Sequence, residues 1–253
     1  MRLKTALAVA GIATVGMLIG GSVAWAATGG LADLNSQPAA KTAVVSAAPI
    51  DTSTESKFTA ITPCRIVDTR VAGGPIAAGA SRGFAVSGAT GFVGQGGTNG
   101  GCGVPTAATA VALTMVAVDE TGVGYLRQWP AGVAMPFSSF LNYAGTDLVS
   151  TGGTATITGT ANPALNVSAN IHSSNVVIDV QGYYIKPMYA HVESDGTILS
   201  GSRVTSSASL SIGQYEVIFD RDVSGCAYNV SVDPDTGYTL KTQPRSGNAN
   251  GVF

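Results

Sequence analysis

Charge is what this chain has least of: Asp, Glu, Lys and Arg make up only 11% of its 253 residues, 13 basic against 15 acidic. Coiled coils and charged disorder both need far more, so neither is expected. No basic stripe is present to displace counterions from phosphates, which argues against a nucleic-acid partner and an anionic membrane surface. Histidine is nearly missing, with only His172 and His191. There is no C-x-x-C and no His pair at ligand spacing, so neither a metal centre nor a cofactor is expected. Outside the first 26 residues no stretch carries a convincing helical period. Helices are not expected to build the core.

What is abundant is glycine, with 33 residues, spread between short apolar stretches. That pattern reads as a turn-rich β protein. Its centre is Val111–Asn142. Val111–Val118 is apolar on both faces and free of charge, which predicts a central strand covered on both sides. Asp119-Glu-Thr-Gly122 supplies turn chemistry, with Gly122 able to take a positive φ. Gly124–Trp129 returns as a second strand and stops at Pro130, giving an expected hairpin.

The N-terminus resembles an export signal. Arg2 and Lys4 form a basic n-region, Ala6–Val23 an apolar h-region, and Ala24-Trp25-Ala26 an A-x-A cleavage site, so residues 1–26 read as a signal peptide. An uncleaved anchor is the alternative. Removal of Arg2 and Lys4 leaves a mature charge of about −4. Export places the cysteines in an oxidising compartment, where Cys64 and Cys102 are expected to pair and Cys226 is left over. A chain ending at Phe253 suggests that a partner for Cys226 has been lost.

Residues 27–57 are rich in Ala, Ser and Thr with little periodicity and read as a flexible stalk. From Phe58 the pattern is one of short strands: two broken by Pro63, then Arg82–Val86, the central hairpin, Ser138–Tyr143 and Thr154–Thr158. Ala164–Ile171 alternates, with Leu165, Val167, Ala169 and Ile171 inward and Asn166, Ser168 and Asn170 outward. With Val176–Ile185 it reads as a second hairpin, its tip bearing His172, which is expected to be solvent-exposed, as is His191. Such spacing predicts an all-β, jelly-roll-like β-sandwich over 58–187. A small β domain over 188–253 follows, with strands at Ala190–Gly196, Gln214–Phe219, Cys226–Val232 and Tyr238–Thr242; it reads as truncated.

Two patterns imitate catalytic motifs. Gly79-Ala-Ser81-Arg-Gly83 matches a nucleophile elbow, the basis of a serine-hydrolase alternative, but Phe84-Ala-Val86 reads as strand where a helix N-terminus is required. Ser87-Gly-Ala-Thr-Gly91-Phe-Val-Gly94 imitates a dinucleotide fingerprint. The glycines of residues 95–101 cannot make the helix that mechanism needs, so the motif reads as flexible loop within Gly88–Val104, a glycine-dense stretch expected to be pinned to the first strand if Cys64 and Cys102 are bonded. Asp119 and Glu120 are adjacent rather than facing, which does not suit glycoside chemistry. Calcium near Asp119 or Asp233-Pro-Asp235 lacks the ligand alternation of a dedicated loop. No catalytic residue is assigned. One set has binding potential: Tyr125, Arg127 and Trp129 share a strand face, residue types that anchor interfaces and can stack on sugars, although Trp129 could instead cap the sandwich core.

Pro63-Cys-Arg65, Asp68-Thr-Arg70, Trp129-Pro-Ala-Gly132, Ser139-Phe-Leu141-Asn142 and Val177-Ile-Asp179-Val-Gln-Gly182-Tyr-Tyr184 together resemble an accessory β-domain family of secreted Gram-positive bacterial proteins. The tail, Asp195–Val232, resembles a second, cysteine-containing β module of exported bacterial proteins. The resemblance implies surface modules without a settled activity, in which Asp68, Arg70 and Asp179 tie turns together. The expected function is that of a secreted, non-enzymatic cell-surface or wall-matrix component acting in adhesion or structure. The alternative is a carbohydrate-binding module using Tyr125 and Trp129. The expected partner is a wall polysaccharide or a protein.

Overall fold

Runs of Val, Ile and Thr between glycine-rich turns favour extended backbone, and in the computed structural model the regular structure is strand apart from one 3-10 turn. The structure describes residues 4–9, 55–145, 148–159, 162–232 and 239–253. These fall into two compact units. One is Glu55–Lys186; the other joins Pro187–Phe253 to an N-terminal strand, β1 (Lys4–Val9). The stalk up to residue 54, the A-x-A site and Asp233-Pro-Asp235 lie outside the described residues.

The first unit contains β2 (Lys57–Asp68), β3 (Ser81–Phe84), β4 (Ala108–Val118), β5 (Val123–Pro130), β6 (Leu141–Ala144), β7 (Val149–Thr156), β8 (Leu165–Asn170) and β9 (Asn175–Ile185). They form two four-stranded sheets, in the orders β2-β9-β4-β7 and β3-β8-β5-β6. Successive strands change sheet at every connection except β5 to β6. This is the strand order of an eight-stranded jelly roll. Between the sheets lies one core, in which Leu113, Met115, Leu126, Leu165, Val167 and Ile178 are fully buried.

The two expected hairpins are not hairpins. β4 pairs with β7 and β9, and β5 pairs with β6 and β8, so the turn after Val118 crosses between sheets; so does the turn between β8 and β9. Crossing lets both members of each pair put an apolar face into the same core. In the turn after β4 the positive φ belongs to Asp119 (53°), not to Gly122. Gly122 is needed for space: a Cβ there would stand 2.8 Å from the His172 ring. Ile171, expected inward, has φ 75° and is 64% exposed because the chain leaves the sheet there.

β4 is central, but one of its faces is only half-covered: Val111, Leu113, Met115 and Ala117 are buried, whereas Ala112, Thr114 and Val116 are partly open. Its jelly-roll sheet has one core face and one outer face. Pro63 does not divide the first strand. β2 runs through it because β2 is an edge strand and the ladder skips from Ala60–Gly182 to Cys64–Val180 at that place. The Ser138–Tyr143 strand begins only at Leu141.

Gly88–Val104, the glycine-dense loop, is pinned to the first strand as the cysteine pairing implied. Cys64 and Cys102 form a disulfide. Phe92 is buried, and Gln95 Nε2 donates to Ile66 O and Ala85 O, while its Oε1 accepts from Ala85 N. Gly96 and Gly97 lie so close to β2 that a Cβ on either would stand 2.1 Å from a carbonyl oxygen. Glycine here permits close backbone approach as well as turning.

The second unit contains, besides β1, β10 (Met188–Glu193), β11 (Ile198–Ser202), β12 (Val204–Ser211), β13 (Gln214–Phe219), β14 (Asn229–Val232) and β15 (Gly251–Val252). Its sheets have the orders β11-β10-β1-β14 and β12-β13-β15, around a core containing Val192, Val217, Phe219 and Val223. β1 thus pairs with β10 on one side and β14 on the other. Residues 239–242 form no strand. The chain there leads into Gln243, whose backbone exchanges hydrogen bonds with Phe253. Cys226 is a half-buried free thiol.

Candidate functional site

Two polar constellations stand on opposite outer faces of the jelly roll. The first gathers residues of the Arg65…Arg70 and Asp179 motifs. Arg65 and Asp179 are direct cross-strand partners on β2 and β9, and the guanidinium grips the carboxylate with Nε at 2.9 Å and Nη2 at 3.1 Å. Asp68 is 3% exposed; it accepts from Arg65 and, through both oxygens, from Arg70. The Arg70 hydrogen bonds hold the Asp68 carboxyl below the usual carboxylate range, against the opposing effect of burial. Thr69, fully buried, donates to Asn175 Oδ1 and accepts from Val176 N, which fastens this turn to the start of β9. Each charge here is matched and each hydroxyl bonded. The cluster locks a strand end.

Other motif residues have equally local tasks. Gly182 makes room for Phe58, whose ring would lie 2.4 Å from a Cβ there and which packs at 5.2 Å on Tyr184. Gly132 turns the chain after Trp129-Pro with φ 81°. Ser81 opens β3 opposite Ser168, so the Gly79…Gly83 segment leads into a strand and the strand-to-helix turn of an elbow is not formed. The only helical piece near the second glycine motif is the three-residue 3-10 turn Val93–Gln95. Asp119 is exposed and its neighbour Glu120 is buried in the turn after β4, so the two carboxylates do not face each other across an open cleft. Both histidines are half-buried; His172 Nδ1 lies 2.8 Å from Val123 O.

The second constellation covers the outer face of the β3-β8-β5-β6 sheet. Tyr125, Arg127 and Trp129 do share that face, since their cross-strand partners on β8 are Asn170, Ser168 and Asn166, the residues that alternate away from the core. Register extends the rows outward: Tyr125 lies opposite Asn142 on β6, Ser168 opposite Ser81, and Asn166 opposite Gly83. The face therefore carries a phenol, a guanidinium, an indole, three amides and two hydroxyls, and no carboxylate.

Tyr125 and Arg127 are half-buried and Asn142 is exposed. The Arg127 guanidinium carbon lies 5.1 Å from the centre of the Tyr125 ring, and its Nη2 donates to the Tyr125 hydroxyl at 3.2 Å. Asn170 Nδ2 donates to Ser168 Oγ at 2.9 Å. Trp129 is only 7% exposed, so it is buried with the other large apolar side chains and does not offer an open ring. Gln128, on the core side of β5, keeps a buried Oε1 without a hydrogen-bond partner among the described residues. The amides and hydroxyls of β8 and β6 are the site members that sequence reading left unconnected to Tyr125. Their outward alternation was visible, but not which strand they flank. Comparison with known protein families, with characterised proteins and with solved structures finds no match to this chain.

Proposed function

We propose that this chain is an exported, non-enzymatic β-module protein of the cell surface or wall matrix, and that it adheres to polysaccharide through the outer face of the β3-β8-β5-β6 sheet. The observation that carries this reading is the set of rows on that face: Tyr125 between Asn142 and Asn170, with Arg127 in the adjacent row over the buried Ser168 and exposed Ser81 at that row's outer end. Sugars present C–H faces that pack on an aromatic ring and vicinal hydroxyls that match planar amide and guanidinium donors. A sheet holds those groups at fixed spacing with little ordering cost on binding. Trp129, being buried, supports the face, and Tyr125 supplies the ring. The basic and apolar N-terminal pattern supports export, and the Cys64–Cys102 disulfide is compatible with an oxidising compartment.

The test is retention of the full chain on insoluble wall fractions and on a polysaccharide array. Wild type should be retained saturably. Tyr125→Ala should weaken binding about tenfold, or roughly 1.4 kcal/mol, while the variant still unfolds cooperatively as a folded protein. Absence of wild-type binding to any polysaccharide sinks the reading.

A second reading, adhesion to protein, is favoured by the connection between β5 and β6. Val133, Met135 and Phe137 are 57%, 48% and 96% exposed there, more apolar surface than a loop needs for its own folding. If that loop makes the contact, Phe137→Ser abolishes adhesion while Tyr125→Ala leaves it intact.

A further inference from the structure

We infer that the polysaccharide recognised by this face is an anionic one, and that Arg127 supplies the contact to its charge; this rests on the polysaccharide reading above. The argument begins with how the chain treats its other half-buried or network arginines. Arg65, Arg70, Arg203 and Arg245 each meet a carboxylate within 3.2 Å. Arg82 is held by two backbone carbonyls. Arg127 has neither. Among the described residues its hydrogen-bond partner is the Tyr125 hydroxyl alone, and its Nε is buried without one.

A guanidinium withdrawn from water this far is costly when no anion or carbonyl replaces the water, and the ring of Tyr125 offsets only part of that cost. The exception stands on a face with no acid on β3, β5, β6 or β8, in a chain with more acids than bases. Tyr125 holds one Nη2 hydrogen and so fixes the plane of the fork. The Nη1 edge makes no hydrogen bond among the described residues and is not one of the buried unpaired atoms, which leaves it the edge open to a ligand. An anionic oxygen pair fits that edge bidentately. The amides of Asn142 and Asn170, one row away, then meet the sugar hydroxyls. A uronate carboxylate and a backbone phosphodiester both offer such oxygens, and the probes must separate them.

The full chain is titrated with polygalacturonate, with its methyl ester, with poly(glycerol phosphate) and with neutral dextran. Binding to polygalacturonate, weakened at least tenfold by esterification and falling with added salt, is the expected result. Stronger binding to poly(glycerol phosphate) than to polygalacturonate also supports the inference and assigns the anion as phosphodiester. Arg127→Met keeps the aliphatic stem and should lose at least tenfold on the acidic polymer. Arg127→Lys should retain part of it and guards against a folding defect in the first variant. Equal binding of acid, ester and dextran, or an unchanged Arg127→Met, overturns the inference and leaves the polysaccharide reading standing. No retention of any polymer overturns both.

Discussion

At the scale of single residues, Asp68 shows how a surface motif can be structural. Its carboxyl is buried against two guanidinium groups, and those groups favour its charged form. Because its pKa is lower in the folded chain, its contribution to stability is present above the ordinary carboxylate range near 4 and is lost as pH falls through its folded value. Asp68→Asn should therefore cost about 1–3 kcal/mol at neutral pH, and the difference from wild type should shrink below about pH 4. Parallel urea titrations at pH 7 and pH 3 check this. Gln95 is the neutral counterpart: one side chain satisfies a backbone N–H and two carbonyls between β2 and the residue following β3. Replacing it by Leu strands those groups and should destabilise by about 2–3 kcal/mol, visible in the same urea experiment.

At the scale of elements, the long connection between β3 and β4 behaves as a docked piece of the sandwich. Its anchors are the Cys64–Cys102 bond, the Gln95 bridge and glycines that let its backbone touch β2. The disulfide closes a separation of 38 residues, for which chain-entropy reasoning gives about 2–4 kcal/mol of stabilisation. The Cys64→Ser, Cys102→Ser double variant should lose that amount, and amide exchange should quicken first in residues 93–104. Quickening spread evenly through both sheets instead would show that the loop is held by its packing alone. Motif glycines and aromatics were legible as such in the sequence, yet their tasks were not. Gly182 is small because Phe58, 124 residues earlier, crosses over it.

At the scale of the whole molecule, the chain divides into two units, and the N-terminal strand belongs with the second. β1 sits between β10 and β14, supplying partners to both. The same residues overlap the N-terminal pattern read as an export signal, so that pattern and this strand occupy one segment. Removing residues 1–26 would leave β10 and β14 without that ladder. Amide exchange of Met188–Glu193 and Asn229–Val232 should then rise by at least tenfold, while Glu55–Lys186 stays protected. Unchanged exchange would mean that the sheet closes without β1.

What the amino-acid sequence determined by itself was local. Alternation placed Leu165, Val167 and Ala169 inward and Asn166, Ser168 and Asn170 outward, because side chains on a strand must take opposite faces. It put Tyr125, Arg127 and Trp129 on one face for the same reason, and the glycine-rich composition with the regular spacing of short strands and turns was enough to name an all-β sandwich. Pairing was beyond it. Neighbouring strands joined by tight turns look like hairpins, and only packing of two sheets around one core sends β4 and β5, and then β8 and β9, to opposite layers. That choice brings Asn170 and Ser168 beside Tyr125 and Arg127 and leaves a lone guanidinium on a face without acids. Which residues stand together depends on contacts distant in sequence, and those are settled by how both sheets bury their apolar faces at once.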